Sequence, residues 1–282
     1  MTTRLVLVMM CALWGLAGTA GAMDFGGVRE FYAYPSLQYF TWEESIDGRR
    51  LVYEQGVLYS AGAAVAVDLL QTAAGVLTLR GKGELFGGVV DYDGQTQQGL
   101  PVNTEVSYVG TRAEGAVGWA VPLARSRLEP FAGLGYRGWL RNIHDATITD
   151  PSRSAPVQSL GYTEHWDSAY TKLGVAVSYR LDQAWRLFAE AGGKYPFYNA
   201  NSIHLEIETE LQTVTGTLVV KPEPRWSAFA ELGARYRHVR LALFYEGYRV
   251  GQSPVRHIGP LEFVQPQSKE DLVGISLAWC FQ

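Results

Sequence analysis

The sequence predicts an all-β chain, an up-and-down antiparallel transmembrane β-barrel of ten strands behind a cleaved signal peptide. Three observations carry that expectation. The chain opens on Arg4, an apolar run from Leu5 to Leu16 and small residues ending Ala20-Gly21-Ala22, the layout of an export signal cut after Ala22. It closes on Asp271 to Gln282, where Val273, Ile275, Leu277, Trp279 and Phe281 share one parity and Gly274, Ser276, Ala278 and Cys280 the other. Such a strand has one face suited to lipid and one small, semi-polar face. Between the two ends, no run approaches the ~18 apolar residues that a membrane-spanning helix requires, yet alternating apolar residues, Tyr, Trp and Gly abound.

Residues 1–22 are therefore assigned to the signal and 23–282 to a single barrel domain. The formal net charge is −4 and includes Arg4, the one charge of the signal, so residues 23–282 stand near −5. A mildly acidic, evenly spread charge argues against a nucleic-acid partner. Cys11 falls in the signal and leaves Cys280 alone, so no disulfide is expected within the barrel.

Alternation and turn chemistry place the strands at 36–44, 51–69, 76–92, 103–121, 128–143, 161–181, 185–198, 225–236, 239–249 and 270–281. Tight connections at 71–75, 122–127, 182–184 and 237–238 fit periplasmic turns. The longer ones at 45–50, 93–102, 144–160, 199–224 and 251–270 fit surface loops on the opposite rim. An even count puts both termini on the periplasmic side. The stretch 199–224 is ambiguous, because LEIETELQTVTGTLVVK alternates well enough to add two membrane strands and make twelve. Glu206, Glu208 and Glu210 interrupt its apolar residues and no aromatic girdle brackets it, which favours a hairpin standing above the membrane.

Parity sorts the strands into two faces. Val57, Tyr59 and Val65, Val117 and Trp119, Leu173 to Tyr179 by twos, and Leu241 and Leu243 fall outside. Arg80, Lys82, Glu84, Arg112, Glu114, Arg137, Arg141, Lys172, Glu190, Lys194, Glu231, Arg240 and Glu246 fall inside. Charges of both signs facing a narrow lumen are expected to pair, because an unpaired charge there costs several kcal/mol. A small barrel is filled by its own side chains, so the lumen is expected to be plugged, with Glu190 paired to Lys172 or Arg235.

Three clusters near the surface rim could carry chemistry. Asp91-Tyr92-Asp93-Gly94 offers carboxylates two apart on one strand face, able to share a proton or position a water, although Asp-Gly also opens turns. Parity places Asp91 with Leu77, Leu79 and Leu85, hence outward, unless a bulge at Gly87-Gly88 resets the register. Glu164-His165-Trp166-Asp167 tops the sixth strand, and His165, Asp167 and Ser168 could be gathered into a lipid-modifying set. His204 with Glu206 forms the third cluster. No zinc-type His/Cys spacing, phosphate-binding glycine loop or dinucleotide fingerprint is present, so no metal or cofactor is expected.

Gly87-Gly88-Val89-Val90-Asp91-Tyr92-Asp93, together with Gly192-Gly193-Lys194-Tyr195 leading to Ser202-Ile203-His204, resembles the omptin family of outer-membrane proteases over roughly strands two to seven. The resemblance implies a ten-stranded barrel whose rim carries an Asp pair facing an Asp–His pair. Asp91 and Asp93 would match the first pair and His204 the histidine, with Ser202 where the acid belongs; His165 and Asp167 are the substitute second pair. Two functions of different class follow. The first is a non-enzymatic surface barrel, structural or ligand-binding through its loops, and the second is an omptin-like endoprotease. A narrow porin is a third. The expected setting is the outer membrane of a Gram-negative bacterium, with partners in membrane lipid, lipopolysaccharide among the candidates, and in the barrel assembly machinery through the last strand.

Overall fold

The computed structural model describes residues 27–96, 99–148, 156–208, 213–258 and 261–281; the expected signal peptide lies outside them. Ten long strands form the wall: β1 (Val28–Ile46), β2 (Arg49–Thr72), β3 (Gly75–Gln95), β4 (Pro101–Leu123), β5 (Ser126–Ile143), β8 (Tyr162–Arg180), β9 (Trp185–Glu208), β11 (Ser227–Tyr236), β12 (Val239–Val250) and β15 (Gln267–Phe281). Each pairs antiparallel with its sequence neighbour in the wall, and β1 pairs with β15, so the sheet closes without an edge. All ten predicted strands are present.

The closing strand shows why the chain folds this way. From Leu272 to Phe281 burial alternates without a break, with Leu272, Ser276, Ala278 and Cys280 turned into the barrel and Val273, Ile275, Leu277, Trp279 and Phe281 exposed. In lipid every backbone amide must find a partner within the protein. The β15 backbone finds them on both sides, in β12 and β1.

The outer apolar band is bracketed by aromatics. Phe31 packs on Phe281 with ring centroids 5.2 Å apart and Trp185 on Tyr236 at 4.8 Å near the termini. Tyr39, Tyr59 and the Tyr195–Trp226 pair, 5.2 Å apart, mark the other edge. The strands run up to 24 residues, more than twice the 9–11 or so that a bilayer needs. The wall therefore projects beyond the upper girdle, where the outward positions turn polar at Thr41, Glu43, Asp91 and Asp93.

The connections differ from expectation in one place. The predicted loop at 45–50 is a two-residue turn, Asp47-Gly48, with φ of 51° and 77° between the paired residues Ile46 and Arg49. Asp-Gly suits the hairpin turn that requires positive φ at both positions. The ambiguous stretch resolves as the hairpin above the membrane: β10 (Thr213–Val220) pairs with β9 over Asn201–Glu208 and does not enter the ring. The barrel thus has ten strands. Two short hairpins, β6 (Ala146–Ile148) with β7 (Val157–Ser159) and β13 (Arg256–Ile258) with β14 (Leu261–Phe263), lie in the loops at 144–160 and 251–270.

Inside, the sorted charges meet. Lys172 bridges Glu114 at 2.8 Å and Glu190 at 3.4 Å, and Arg80 reaches Glu190 from across the barrel. Arg112 lies 2.7 Å from Glu246, which Lys194 also holds, and Arg240 pairs with Glu231. Glu190 thus has the expected partner in Lys172, while Arg235 bonds Glu30 instead. Because Glu190 pairs with buried Lys172 and half-buried Arg80, Glu190→Ala is expected to destabilise the barrel by about 3 kcal/mol. Glu190→Gln, which keeps hydrogen-bonding atoms, should cost less. Urea unfolding in lipid vesicles, followed by tryptophan fluorescence, checks the order; an alanine variant as stable as the parent would refute the pairing account.

Candidate functional site

The upper third of the lumen is the most densely built region. Period-two alternation sends Glu44, Glu54, Arg141 and Glu164 inward from β1, β2, β5 and β8 at one level above the girdle, all nearly inaccessible. Arg141 is the hub. Its Nη1 lies 3.3 Å from Glu44 and 2.9 Å from Glu164, and its Nε donates to Glu54 at 3.0 Å. Five donors in a rigid fork let one arginine serve three carboxylates from different strands, which a lysine ammonium could not match.

Indole and phenol groups satisfy what remains. Trp42 Nε1 donates to Glu44 at 2.9 Å, Trp166 Nε1 to Glu164 at 2.7 Å, and the Tyr108 hydroxyl to Glu54. Trp139 stacks on Trp166 with centroids 5.3 Å apart and planes 8° from parallel, and Tyr248 and Trp42 close the cluster. Below it Arg137 donates to Glu270 at 2.6 Å and covers the Trp139 ring. Aromatics and ion pairs together leave no passage at this level among the described residues; the larger cavities lie beneath. One of about 170 Å³ is lined by Arg80, Lys82, Glu114 and Phe131, and an open vestibule of about 820 Å³ occupies the end with the termini. The lumen is closed toward the surface loops and open toward the short turns.

The residues singled out from the sequence do not assemble across this mouth. Asp91 and Asp93 are exposed on the outer face, continuing the parity of Leu85 and Val89. No register shift occurs along β3 and β4, so the bulge that would turn them inward is absent. His204 is also exposed and contacts Thr217 Oγ1 at 3.4 Å, on the far side of β4, β5 and β8 from Asp91. Four interstrand steps separate them by roughly 19 Å. Ser202, at the acid position, is the cross-strand partner of His165. His165 and Asp167 do come together, Nε2 to Oδ2 3.8 Å, but on the outer face, with the Tyr136 hydroxyl donating to Asp167. Ser168 has the opposite parity and is buried, donating to Asn199 at 2.9 Å, so it cannot join His165. The side chain of Glu206 lies outside the described set.

A different constellation occupies the outer rim. Ser107 Oγ lies 2.8 Å from His144 Nε2, and His144 Nδ1 lies 3.9 Å from Glu105 Oε2. Glu105 and Ser107 share a face of β4 because they are two residues apart. His144, the first residue after β5, is fixed beside them because its amide donates to the Glu105 carbonyl at 3.0 Å. The spacing Glu105-x-Ser107 was visible in the sequence. The histidine was not, since 37 residues separate it from Ser107 and only the β4–β5 register unites them.

No protein-family model matches the chain, and no curated protein matches it. Among solved structures, the outer membrane protease OmpT from Escherichia coli aligns over 93% of this chain and 100% of that one, with 12% identity and a TM-score of 0.53. The translocator domain of the autotransporter NalP from Neisseria meningitidis aligns over 97% and 95%, with 12% identity and a TM-score of 0.43. A major outer membrane protein from Thermus thermophilus aligns over 88% and 99%, with 13% identity and a TM-score of 0.37. The first of these likenesses shows the outer-membrane β-barrel fold, with the omptin-like architecture of ten strands.

The hub makes its own prediction. Arg141→Met would leave three inward carboxylates facing one another, so a loss of about 3–5 kcal/mol is expected. Glu44→Gln should cost much less, because Glu54 and Glu164 still hold the guanidinium and an amide keeps acceptor capacity. Equilibrium unfolding of the two variants and their double mutant measures the coupling. Equal costs for the two single changes would contradict a one-cation, three-anion hub.

Proposed function

We propose that this protein is a non-conducting outer-membrane surface barrel, exported by a cleaved signal of residues 1–22. Its wall anchors, and its projecting rim and loops meet ligands outside the cell. The observation that supports this reading above others is the closure of the upper lumen by Arg141 with Glu44, Glu54 and Glu164, underlain by Trp42, Trp139, Trp166 and Tyr248. A pore needs a hydrated path, and these side chains fill the section in which it would run. The loops supply the contact surface: the β9–β10 hairpin, the β6–β7 hairpin and the β13–β14 hairpin all stand on the side away from the termini. Outer-leaflet lipid, lipopolysaccharide included, is the proposed neighbour of the wall, and the last strand is the proposed handle for the assembly machinery.

An omptin-like endoprotease has less support. It requires Asp91 and Asp93 to face a histidine across the mouth, and the carboxylates instead point away from the lumen with His204 four strands distant. A protease assay on basic peptides with the parent and Asp93→Ala distinguishes the two readings, and cleavage that depends on Asp93 would restore the protease.

Planar-bilayer recording tests the closed lumen. Refolded parent protein is expected to give no stable unitary conductance. Large, long-lived channels from correctly folded, heat-modifiable barrels would overturn the proposal.

A further inference from the structure

We infer that Ser107, His144 and Glu105 form an ester-hydrolysing site on the outer wall, directed at the O-acyl esters of outer-leaflet lipids. The inference rests on the outer-membrane placement and is independent of whether the lumen conducts.

The arrangement has the parts that activated-serine chemistry requires, namely a nucleophile, a base in contact with it and a third group that orients the base. With the imidazole proton on Nδ1, the Ser107 hydroxyl donates to Nε2 across 2.8 Å. The Nδ1 proton then faces Glu105 Oε2 at 3.9 Å. That is longer than a hydrogen bond, and such contacts commonly tighten when substrate binds. The backbone is already fixed for that closure. His144 N donates to the Glu105 carbonyl at 3.0 Å, and Thr104 Oγ1 bonds the Asp145 carbonyl at 3.0 Å.

Asn142 is the proposed donor for the developing oxyanion. Asn142 lies directly opposite Ser107 on β5. Its Oδ1 accepts the Thr163 hydroxyl at 2.7 Å, which fixes the amide so that Nδ2 is left to donate. One such donor is worth a factor of roughly 10²–10³ in acyl-transfer rate.

Position selects the substrate. On β4 the outward residues below Ser107 run Val109, Thr111, Ala113, Gly115, Val117 and Trp119, with Trp119 in the girdle near the termini. The ten residue steps from Trp119 to Val109 rise roughly 25 Å at a barrel strand's tilt, the height of the apolar band. Ser107 therefore stands one step above the hydrocarbon edge, at the depth of a bilayer lipid's ester carbonyls. Val89 pairs across to Ser107, and Val109 to Leu140. All three apolar residues are exposed and would seat an acyl chain below the serine. A peptide from the aqueous side would find no cleft here, whereas a lipid diffusing along the wall meets the hydroxyl directly.

The step balances without a cofactor. Ser107 Oγ bonds to the ester carbonyl carbon as its proton passes to His144 Nε2. The carbonyl–alkoxy bond breaks and the leaving oxygen takes that proton, leaving acyl-Ser107. Water then attacks the acyl carbon, gives a proton to His144, and releases a fatty acid as Oγ recovers the proton.

The test uses the full-length refolded protein in detergent mixed micelles with either a diacyl phosphatidylethanolamine or an acylated glucosamine lipid, with product fatty acid and lysolipid measured by mass spectrometry. Hydrolysis of at least one lipid is expected, and the one cleaved identifies the source of the ester. Ser107→Ala should fall to background and His144→Ala by about 10²-fold or more. Glu105→Gln, a positioning change, should lower kcat with KM unchanged. A fluorophosphonate probe should label Ser107 in the parent and not in Ser107→Ala. Heat modifiability and β-rich circular dichroism show that each variant is folded. Absence of hydrolysis and labelling in folded parent protein, or activity indifferent to Ser107→Ala, would overturn the inference.

Discussion

Everything in this molecule depends on the seam between its first and last strands. A sheet standing in hydrocarbon cannot leave an edge, because each unpaired amide there costs several kcal/mol. Residues 31–45 of β1 meet residues 267–281 of β15 in antiparallel register, and only then does the sheet have an inside. Parity follows from closure, since once the ring is shut every odd or even position is committed to lipid or lumen. The alternation of Val273 to Phe281 and the inward set from Arg80 to Glu246 are two consequences of that single constraint.

The lumen then poses a problem that the sequence must solve with charge. Ten strands enclose a lumen narrow enough to bring together residues from all sides. Arg80 on β3 can therefore reach Glu190 on β9, more than a hundred positions away in the chain. Pairing is not uniform along the axis. Above the girdle three carboxylates share Arg141, whereas at the opposite mouth Arg180, Arg186, Arg235 and Arg240 lie in a cross-strand row on β8, β9, β11 and β12. Like charges set directly opposite repel. Arg180, Arg186 and Arg235 line the open 820 Å³ vestibule, where water can screen them, and Arg240 is held by Glu231. Dense packing at one end and hydration at the other answer the same problem in two ways: the buried carboxylates are held by Arg141 and by the hydrogen bonds of Trp42, Trp166 and Tyr108, and the arginine row is screened by solvent.

Much of this was legible beforehand because a barrel's period is two and its turns carry their own chemistry. The strands, the sidedness of the loops, the β9–β10 hairpin and the Lys172–Glu190 pair all follow from alternation and from Glu206 and Glu208 interrupting an apolar run. Two features stand apart. The Asp47-Gly48 turn is shorter than the 45–50 loop that alternation alone delimits, and its signal is the Asp-Gly pair itself. The rim could not be read, because its chemistry depends on registers between strands. Asp91 and His204 looked like partners through a motif and its spacing. Register places them four strands apart and unites Ser107 with His144, which no local pattern connects.

The rim is also where the two-solvent rule relaxes. Within the band an outward side chain must be apolar, and within the lumen an inward charge must be paired, so neither region leaves much freedom for reactive groups. Above the girdle the outward face of the wall meets water while still bordering lipid one residue pair below, as Ser107 does above Val109 and Asp167 above Ala169. Polar and titratable groups can be exposed there without the cost of about 2–4 kcal/mol that a basic residue would incur at mid-depth. They remain on rigid, fully hydrogen-bonded strands that hold their relative positions, which favours precise chemistry more than a mobile loop would. A chain that extends its strands to 24 residues when a bilayer requires less than half that number thereby creates a rigid collar facing lipid headgroups. The polar residues on the outside of that collar are not explained by the membrane span and are not needed to close the barrel.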